Sequence, residues 1–180
     1  VFLFIIYYII MATYKDFQTK THDDFFTSND LFKQLSKFIP PDKIVSMPFY
    51  SPYSKCNEIL GSYIDNDIIY NNEDFFKNDR GDIVCDNPPF SIKKDILKVL
   101  YERDKPFMLI LPVSSMCYKY FRIFKDNQDK LQFLIPKGRP RYIYCNPTTG
   151  EKKDTNKSPA FDTIVFCYKM NLKNSINFMD

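Results

Sequence analysis

Residues 82–97, DIVCDNPPFSIKKDIL, limit the possible folds more than any other stretch of the chain. An apolar run stops at Asp86-Asn87-Pro88-Pro89-Phe90, and a helical pattern starts almost at once. Two successive prolines lack N–H donors and fix φ, so they continue neither a central strand nor a helix. The stretch therefore predicts a buried strand, a stiff corner and an amphipathic helix. Ile92, Ile96, Val99 and Leu100 would share the apolar face of that helix, with Ser91 as its cap.

The rest of the chain supplies partners for such a unit. TSNDLFKQLSKFIPP reads as a helix: Thr27 to Asn29 offer N-caps, Leu31, Leu35, Phe38 and Ile39 fall at helical spacing, and Pro40-Pro41 stop it. KIVSM, DIIY and LQFLIP read as short buried strands, and CYKYFRIFKD as a helix. PFYSPYSKCNEIL is a loop passing into a helix that Gly61 can end. KPFMLILP is a continuous apolar run, the kind a sheet covered on both faces buries. Near the C-terminus, RPRYIYCNP and FDTIVFCYKM look like two strands able to pair around a polar, turn-rich loop. Strands alternating with helices predict an α/β fold: a doubly wound, mostly parallel sheet with an antiparallel C-terminal edge hairpin. Ligands of such sheets sit beyond the carboxyl ends of the strands. The loops after Met47, Tyr70, Cys85 and Leu111 are thus the expected working surface.

Composition narrows the function classes. With 180 residues the chain suits one domain, read here as residues 11–180. The net charge of +3 is too small to argue strongly for a polyanionic partner. The five cysteines are scattered and never form C-x-x-C, which suits reduced thiols in a cytoplasmic or nuclear compartment. A single histidine, His22, argues against a mixed Cys/His zinc site and against a Ser-His-Asp triad. The apolar leader VFLFIIYYII, residues 1–10, is shorter than the roughly 20 residues a membrane-spanning helix needs. It lacks a basic region and a small-residue cleavage site, so Met11 is read as the biological start and no membrane role is expected.

Asn87-Pro88-Pro89-Phe90 matches the [DNS]-P-P-[FYW] signature, and the chain resembles the S-adenosylmethionine-dependent adenine-N6 DNA methyltransferases. The chain is similar in this to small adenine methyltransferases of phages and large DNA viruses. The resemblance extends over most of residues 23–168 and implies a Rossmann-like methyltransferase fold. It also implies an intracellular setting, cytoplasmic or nuclear, or the factory or virion of a large DNA virus. DDFFTSNDLFKQLSKFIP resembles the segment in which an aromatic-Thr pair, here Phe26-Thr27, helps hold the cofactor's methionine moiety. PFYSPYS, with Pro48 and Phe49, occupies the place of the first cofactor loop. NNEDFF resembles the acid-aromatic turn that meets the cofactor's adenine: Asp74 would accept from its amino group, and Phe75 would pack on its ring.

The chemistry suits the corner. The exocyclic amine of adenine is a poor nucleophile because its lone pair is delocalised into the ring. The Asn87 side-chain oxygen and the Pro88 carbonyl, both accepting from that amine, would free the lone pair for the donor methyl. Pro89 would fix the direction of the Pro88 carbonyl, and Phe90 would stack on a flipped-out base. Lys137, Arg139 and Arg141 in PKGRPRY could neutralise DNA phosphates, with Lys152, Lys153 and Lys157 adding to them. RNA remains open as a substrate, and specificity could come from a partner subunit.

The cofactor side departs from the pattern. Met47 stands where an acid is usual, and Ser51-Pro52-Tyr53-Ser54 replaces a glycine-bearing turn that lets backbone approach the ligand. A methyltransferase-fold protein without turnover, binding nucleic acid or a partner or serving as a structural subunit, is the alternative reading.

Overall fold

The computed structural model describes residues 25–49, 60–70, 75–78, 80–145, 152–153 and 161–180. The leader, His22, Cys56, the Ser51–Ser54 turn, Asp74 and Lys157 lie outside the described residues, as do the side chains of Phe26, Cys145, Lys152 and Lys153. Ten strands and two α-helices are described. They are β1 (Phe25–Thr27), α1 (Asn29–Ser36), β2 (Val45–Met47), β3 (Ile68–Tyr70), β4 (Ile83–Asp86) and α2 (Lys93–Glu102), followed by β5 (Phe107–Pro112), β6 (Leu131–Ile135), β7 (Tyr142–Cys145), β8 (Lys152–Lys153), β9 (Thr163–Tyr168) and β10 (Ile176–Phe178).

Seven strands form one sheet in the order β3-β2-β4-β5-β9-β6-β10. Pairings from β3 through β5 are parallel, as is β6 with β10. β9 runs antiparallel to both β5 and β6. The chain has the doubly wound, Rossmann-like architecture predicted from its strand–helix alternation. Every residue of β4, β5 and β9 is buried, which explains why these segments read as unbroken apolar runs.

Side chains along these strands alternate between two cores, as the two-residue period of a strand requires. Ile83, Cys85, Met108, Ile110, Val165 and Cys167 face the core that includes Leu31, Phe32 and Leu35 of α1. Val84, Phe107, Leu109, Leu111, Phe166 and Tyr168 face the other, with Ile96, Leu97 and Leu100 of α2. Each fully buried Leu, Ile or Phe contributes roughly 1.5–3 kcal/mol, so the two cores together fix the sheet between its helices.

Three local readings are refined. The antiparallel C-terminal element is present as β9, yet it does not form a hairpin with the preceding strand. β9 lies between β5 and β6, while β7 pairs antiparallel with β1 and β8 in a separate three-stranded sheet. All six residues of β9 are buried, as a central strand between two covered faces requires. Ser91 does not cap α2; the corner first makes a 3-10 turn over Phe90–Ile92, and Ile92 takes the cap position. The segment read as a helix around residue 120 is also 3-10, spanning Lys119–Lys130 with a kink at Asn127. Among the described residues no helix is long and apolar enough to cross a membrane.

The entry to β4 depends on Gly81. Its φ is +84°, and a Cβ there would lie 3.1 Å from the Ile44 carbonyl oxygen and 3.2 Å from Ser46 Cβ. That close approach lets Asp82 and Ile83 donate to the Ile44 carbonyl, at 2.7 and 3.2 Å, and starts the β2–β4 pairing. Gly81→Ala is expected to lower stability by about 1–3 kcal/mol, measured by urea unfolding, because it combines an unfavourable φ with crowding.

Candidate functional site

The order of strands reverses between β2 and β4. β2 leads to β3 on one flank, and the chain then returns to place β4 on the other. Such a reversal leaves a crevice beyond the carboxyl ends of the two strands, where loops diverge and ligands enter. Met47-Pro48-Phe49 leaves β2 there, and Asn87-Pro88-Pro89-Phe90 leaves β4.

The corner begins as soon as the ladder ends. Pro89 sits at φ −56° and ψ 122°, which turns the chain out of the sheet, and the Ile92 N–H then donates to the Pro89 carbonyl at 3.3 Å. Lys93 Nζ donates to the Phe90 carbonyl at 3.1 Å and lies 5.5 Å from the centre of the Tyr118 ring. The Asn87 side-chain oxygen is screened from solvent at the base of this turn. Phe90 is only 7% exposed; its ring meets Phe161 edge-on at 5.3 Å, and Phe161 meets Tyr142 at 5.8 Å. The ring is thus part of the core as well as of the corner.

Across the crevice, Pro48 is buried and Phe49 half-buried. The Phe49 ring lies edge-on to Phe75 at 5.0 Å. Phe75 is held from behind by Arg103, whose guanidinium sits 5.5 Å from the ring centre and donates to the Phe75 and Phe76 carbonyls at 2.9 and 2.8 Å. The structure therefore brings Phe49 and Phe75 together as one aromatic wall. Thr27 is buried in β1 opposite Tyr142 of β7, with the Phe26 backbone opposite Ile143.

Asp86 joins the two sides. Its Oδ2 accepts from the Phe49 N–H at 2.7 Å and its Oδ1 from the Asn87 N–H at 2.8 Å, although the residue is only 5% exposed. Burial pushes its carboxyl up from 3.8 to about 7, against the lowering effect of the two N–H donors. The neighbouring Cys85 thiol is raised too, by burial first and then by Asp86. Sequence inspection passed over Asp86; an acid closing a wholly apolar strand was the available signal.

Lys137, Arg139 and Arg141 lie on the loop after β6. β6 runs parallel to β5, since both oppose β9, so this loop emerges on the same edge of the sheet as the corner. Together with the first turns of α1, residues 136–141 line a cavity of about 400 Å³. The loop is pinned at three points: the Lys137 N–H donates to Gln34 Oε1 at 3.1 Å, Arg139 pairs with Asp162 at 3.3 Å, and the Arg141 carbonyl accepts from Ser28 at 3.1 Å. Among the described residues, no cluster of His, Cys, Asp or Glu suits a metal ion.

Residues 56–167, more than half of the chain, match the family model described as adenine-specific methyltransferase EcoRI. The chain belongs to that family. The match to this adenine-specific methyltransferase family runs from before Leu60 through most of β9, and so includes β4, the corner and β5, while β2 with Pro48 and Phe49 precedes it. A 65-residue stretch is also 37% identical to the type II methyltransferase M.EcoRI of Escherichia coli, covering 36% of this chain and 20% of that protein. The matched segment thus spans a fifth of the curated relative's length.

The raised carboxyl of Asp86 has a sign that can be checked. A group whose folded value lies above its unfolded one favours the folded state in its protonated form. Its contribution is therefore full below about pH 4 and is lost as pH rises through about 7. A rise of that size corresponds to at most about 4 kcal/mol. Urea unfolding between about pH 4 and pH 8 is expected to show the wild type losing stability with rising pH relative to Asp86→Asn, whose profile should be flatter.

Proposed function

We propose that this chain transfers the methyl group of S-adenosylmethionine to the exocyclic N6 amine of an adenine flipped out of DNA. The observation that carries the reading is the Asn87–Phe90 corner at the carboxyl end of β4, beside the strand-order reversal, in a chain of an adenine-specific methyltransferase family. S-adenosylmethionine supplies an electrophilic methyl on a sulfonium when it is bound. The edge-on Phe49–Phe75 pair, backed by Arg103, fits the flat adenine of that cofactor. Pro48 and Phe49 would line its methionine end, and Asp74 would accept from its adenine amine. Phe26 and Thr27 would approach the same ligand from β1.

Asn87 and Pro88 perform the acceptor half of the chemistry in this reading. The Asn87 oxygen and the Pro88 carbonyl take the two N–H groups of the target amine, which draws the nitrogen towards tetrahedral geometry and exposes its lone pair. The same two acceptors stabilise the positive charge that develops on nitrogen, which is relieved when one amine proton passes to water after the transfer. Pro89 holds the Pro88 carbonyl in place before the base arrives, so little reorganisation is needed at the moment of transfer. Phe90 offers a ring for the base, with Phe161 yielding the edge-on position it holds in the structure. Lys137, Arg139 and Arg141 meet DNA phosphates along the same edge. Residues 11–180 would belong to one methyltransferase-like domain, inside a reducing compartment that suits the free thiols of Cys85, Cys117 and Cys167.

One observation favours a second reading. Met47, at the end of β2 where the family's acid is usual, is buried in the core and only 1% exposed. A chain unable to hold the cofactor would be a nucleic-acid-binding or partner subunit. Calorimetric titration of S-adenosylmethionine into residues 11–180 separates the two, and no heat of binding at millimolar cofactor sinks the enzyme. For the corner, Asn87→Ala is expected to cut transfer of labelled methyl to DNA by roughly a hundredfold or more without loss of fold. Unchanged transfer would remove Asn87 from the chemistry. Phe90→Leu should reduce transfer while keeping contact with Phe161, whereas Phe90→Ala should in addition cost about 3–5 kcal/mol of stability.

A further inference from the structure

We propose that Asp86 is a positioning residue: its ionised carboxylate ties the backbone leaving β2 to the backbone of the Asn-Pro-Pro-Phe corner, and so sets the spacing of the two sides of the site. The catalytic meaning of this tie rests on the methyl-transfer reading above. The tie itself rests on geometry alone.

An acid closing a strand commonly accepts only from its own following N–H, as a local turn. Asp86 does this with Asn87 at 2.8 Å, but its other oxygen reaches the Phe49 N–H at 2.7 Å, 37 residues away in sequence. One rigid planar group thus fixes two backbone atoms, one on each side of the crevice. Asn87 is the residue whose side chain would receive the amine, and Phe49 forms the aromatic wall opposite. A displacement of about 1 Å between reacting partners is enough to cost two orders of magnitude in rate.

The tie needs charge. A carboxylate only accepts, and both of its oxygens here face N–H donors. Protonation turns one oxygen into a hydroxyl that competes with the donor in front of it, and one of the two links weakens. The surroundings offer little else that titrates. β4 itself contributes the Cys85 thiol; β2 presents Val45, Ser46 and Met47, and β5 presents Phe107–Pro112, none of them titratable. No cation among the described residues contributes to the state of Asp86. An acid buried this deeply without a cation is rarely kept for stability. Since its carboxyl stands at about 7, the tie would make and loosen within the physiological range.

The test combines amide titration with kinetics. In wild-type protein, the Phe49 and Asn87 amide resonances are expected to move together with one midpoint near 7, and to stay flat in Asp86→Asn. Transfer of labelled methyl should fall by roughly tenfold per pH unit below that midpoint in the wild type. Asp86→Asn should lose that acid limb and run more than about tenfold slower, with little change in KM for DNA. Amides that stay flat from about pH 5 to about pH 9, or that titrate at separate midpoints, overturn the tie even if Asp86→Asn fails to fold. An acid limb that survives in Asp86→Asn overturns its catalytic role and leaves the methyl-transfer reading standing. No transfer by the wild type at any pH overturns that reading instead, and with it the catalytic meaning of a tie that the amides still report.

Discussion

Parallel pairing of β4 with β2 on one side and β5 on the other is the constraint on which the rest depends. Because a parallel neighbour requires a crossover, each of these strands must be followed by a segment that climbs back over one face of the sheet. The crossovers bury both faces, which is why β4 and β5 carry no exposed position at all. A strand so enclosed has only its end available for chemistry. The carboxyl ends of β2 and β4 emerge side by side where the crossovers part, and the Asn-Pro-Pro-Phe corner is a backbone solution to leaving that edge sharply. The prolines give up donors that the ladder no longer needs and gain a fixed direction.

Much of this architecture was legible in the sequence because burial leaves a strong pattern. KPFMLILP and DIVC could hardly be anything but enclosed strands, and the apolar stripes of α1 and α2 fell at helical spacing. The less legible parts share a cause: local pattern says that a segment is extended, not which strand it joins. Tyr142–Cys145 and Thr163–Tyr168 both read as strands, and adjacency in sequence suggested that they pair. The pairing is decided by tertiary burial, which takes the wholly buried Thr163–Tyr168 to the centre and leaves the other beside β1. Short elements such as Ile176–Phe178, three residues long with two exposed side chains, give almost no periodic signal.

The candidate site was legible to the same degree. Asn87, Pro88, Pro89 and Phe90 stand out because two prolines after an apolar run end both ladder and helix, whereas the edge-on meeting of Phe49 with Phe75 is visible only in the fold. Asp86 was hidden by its neighbours, being read as the polar end of a strand. Its meaning depends on Phe49, which only the fold brings near. Phe90 carried a second surprise, since a residue expected at a loop tip also packs against Phe161 and the core. The same ring thus contributes to stability and to the proposed chemistry, so a single substitution there mixes the two effects.

The central placement of β9 bears on how the molecule assembles during synthesis. β5 and β6 are complete long before residues 163–168 leave the ribosome, yet neither touches the other; both wait for the strand that separates them. Until then each presents an unpaired apolar edge of the kind that recruits foreign strands. A nascent chain paused or truncated before residue 163 would lack β10 as well, leaving one edge of β5 and both edges of β6 unpaired. Contacts spanning so much sequence also close slowly. For this protein the last tenth of the chain is the keystone of the sheet rather than its margin, and the hazard of aggregation belongs to the interval before it arrives.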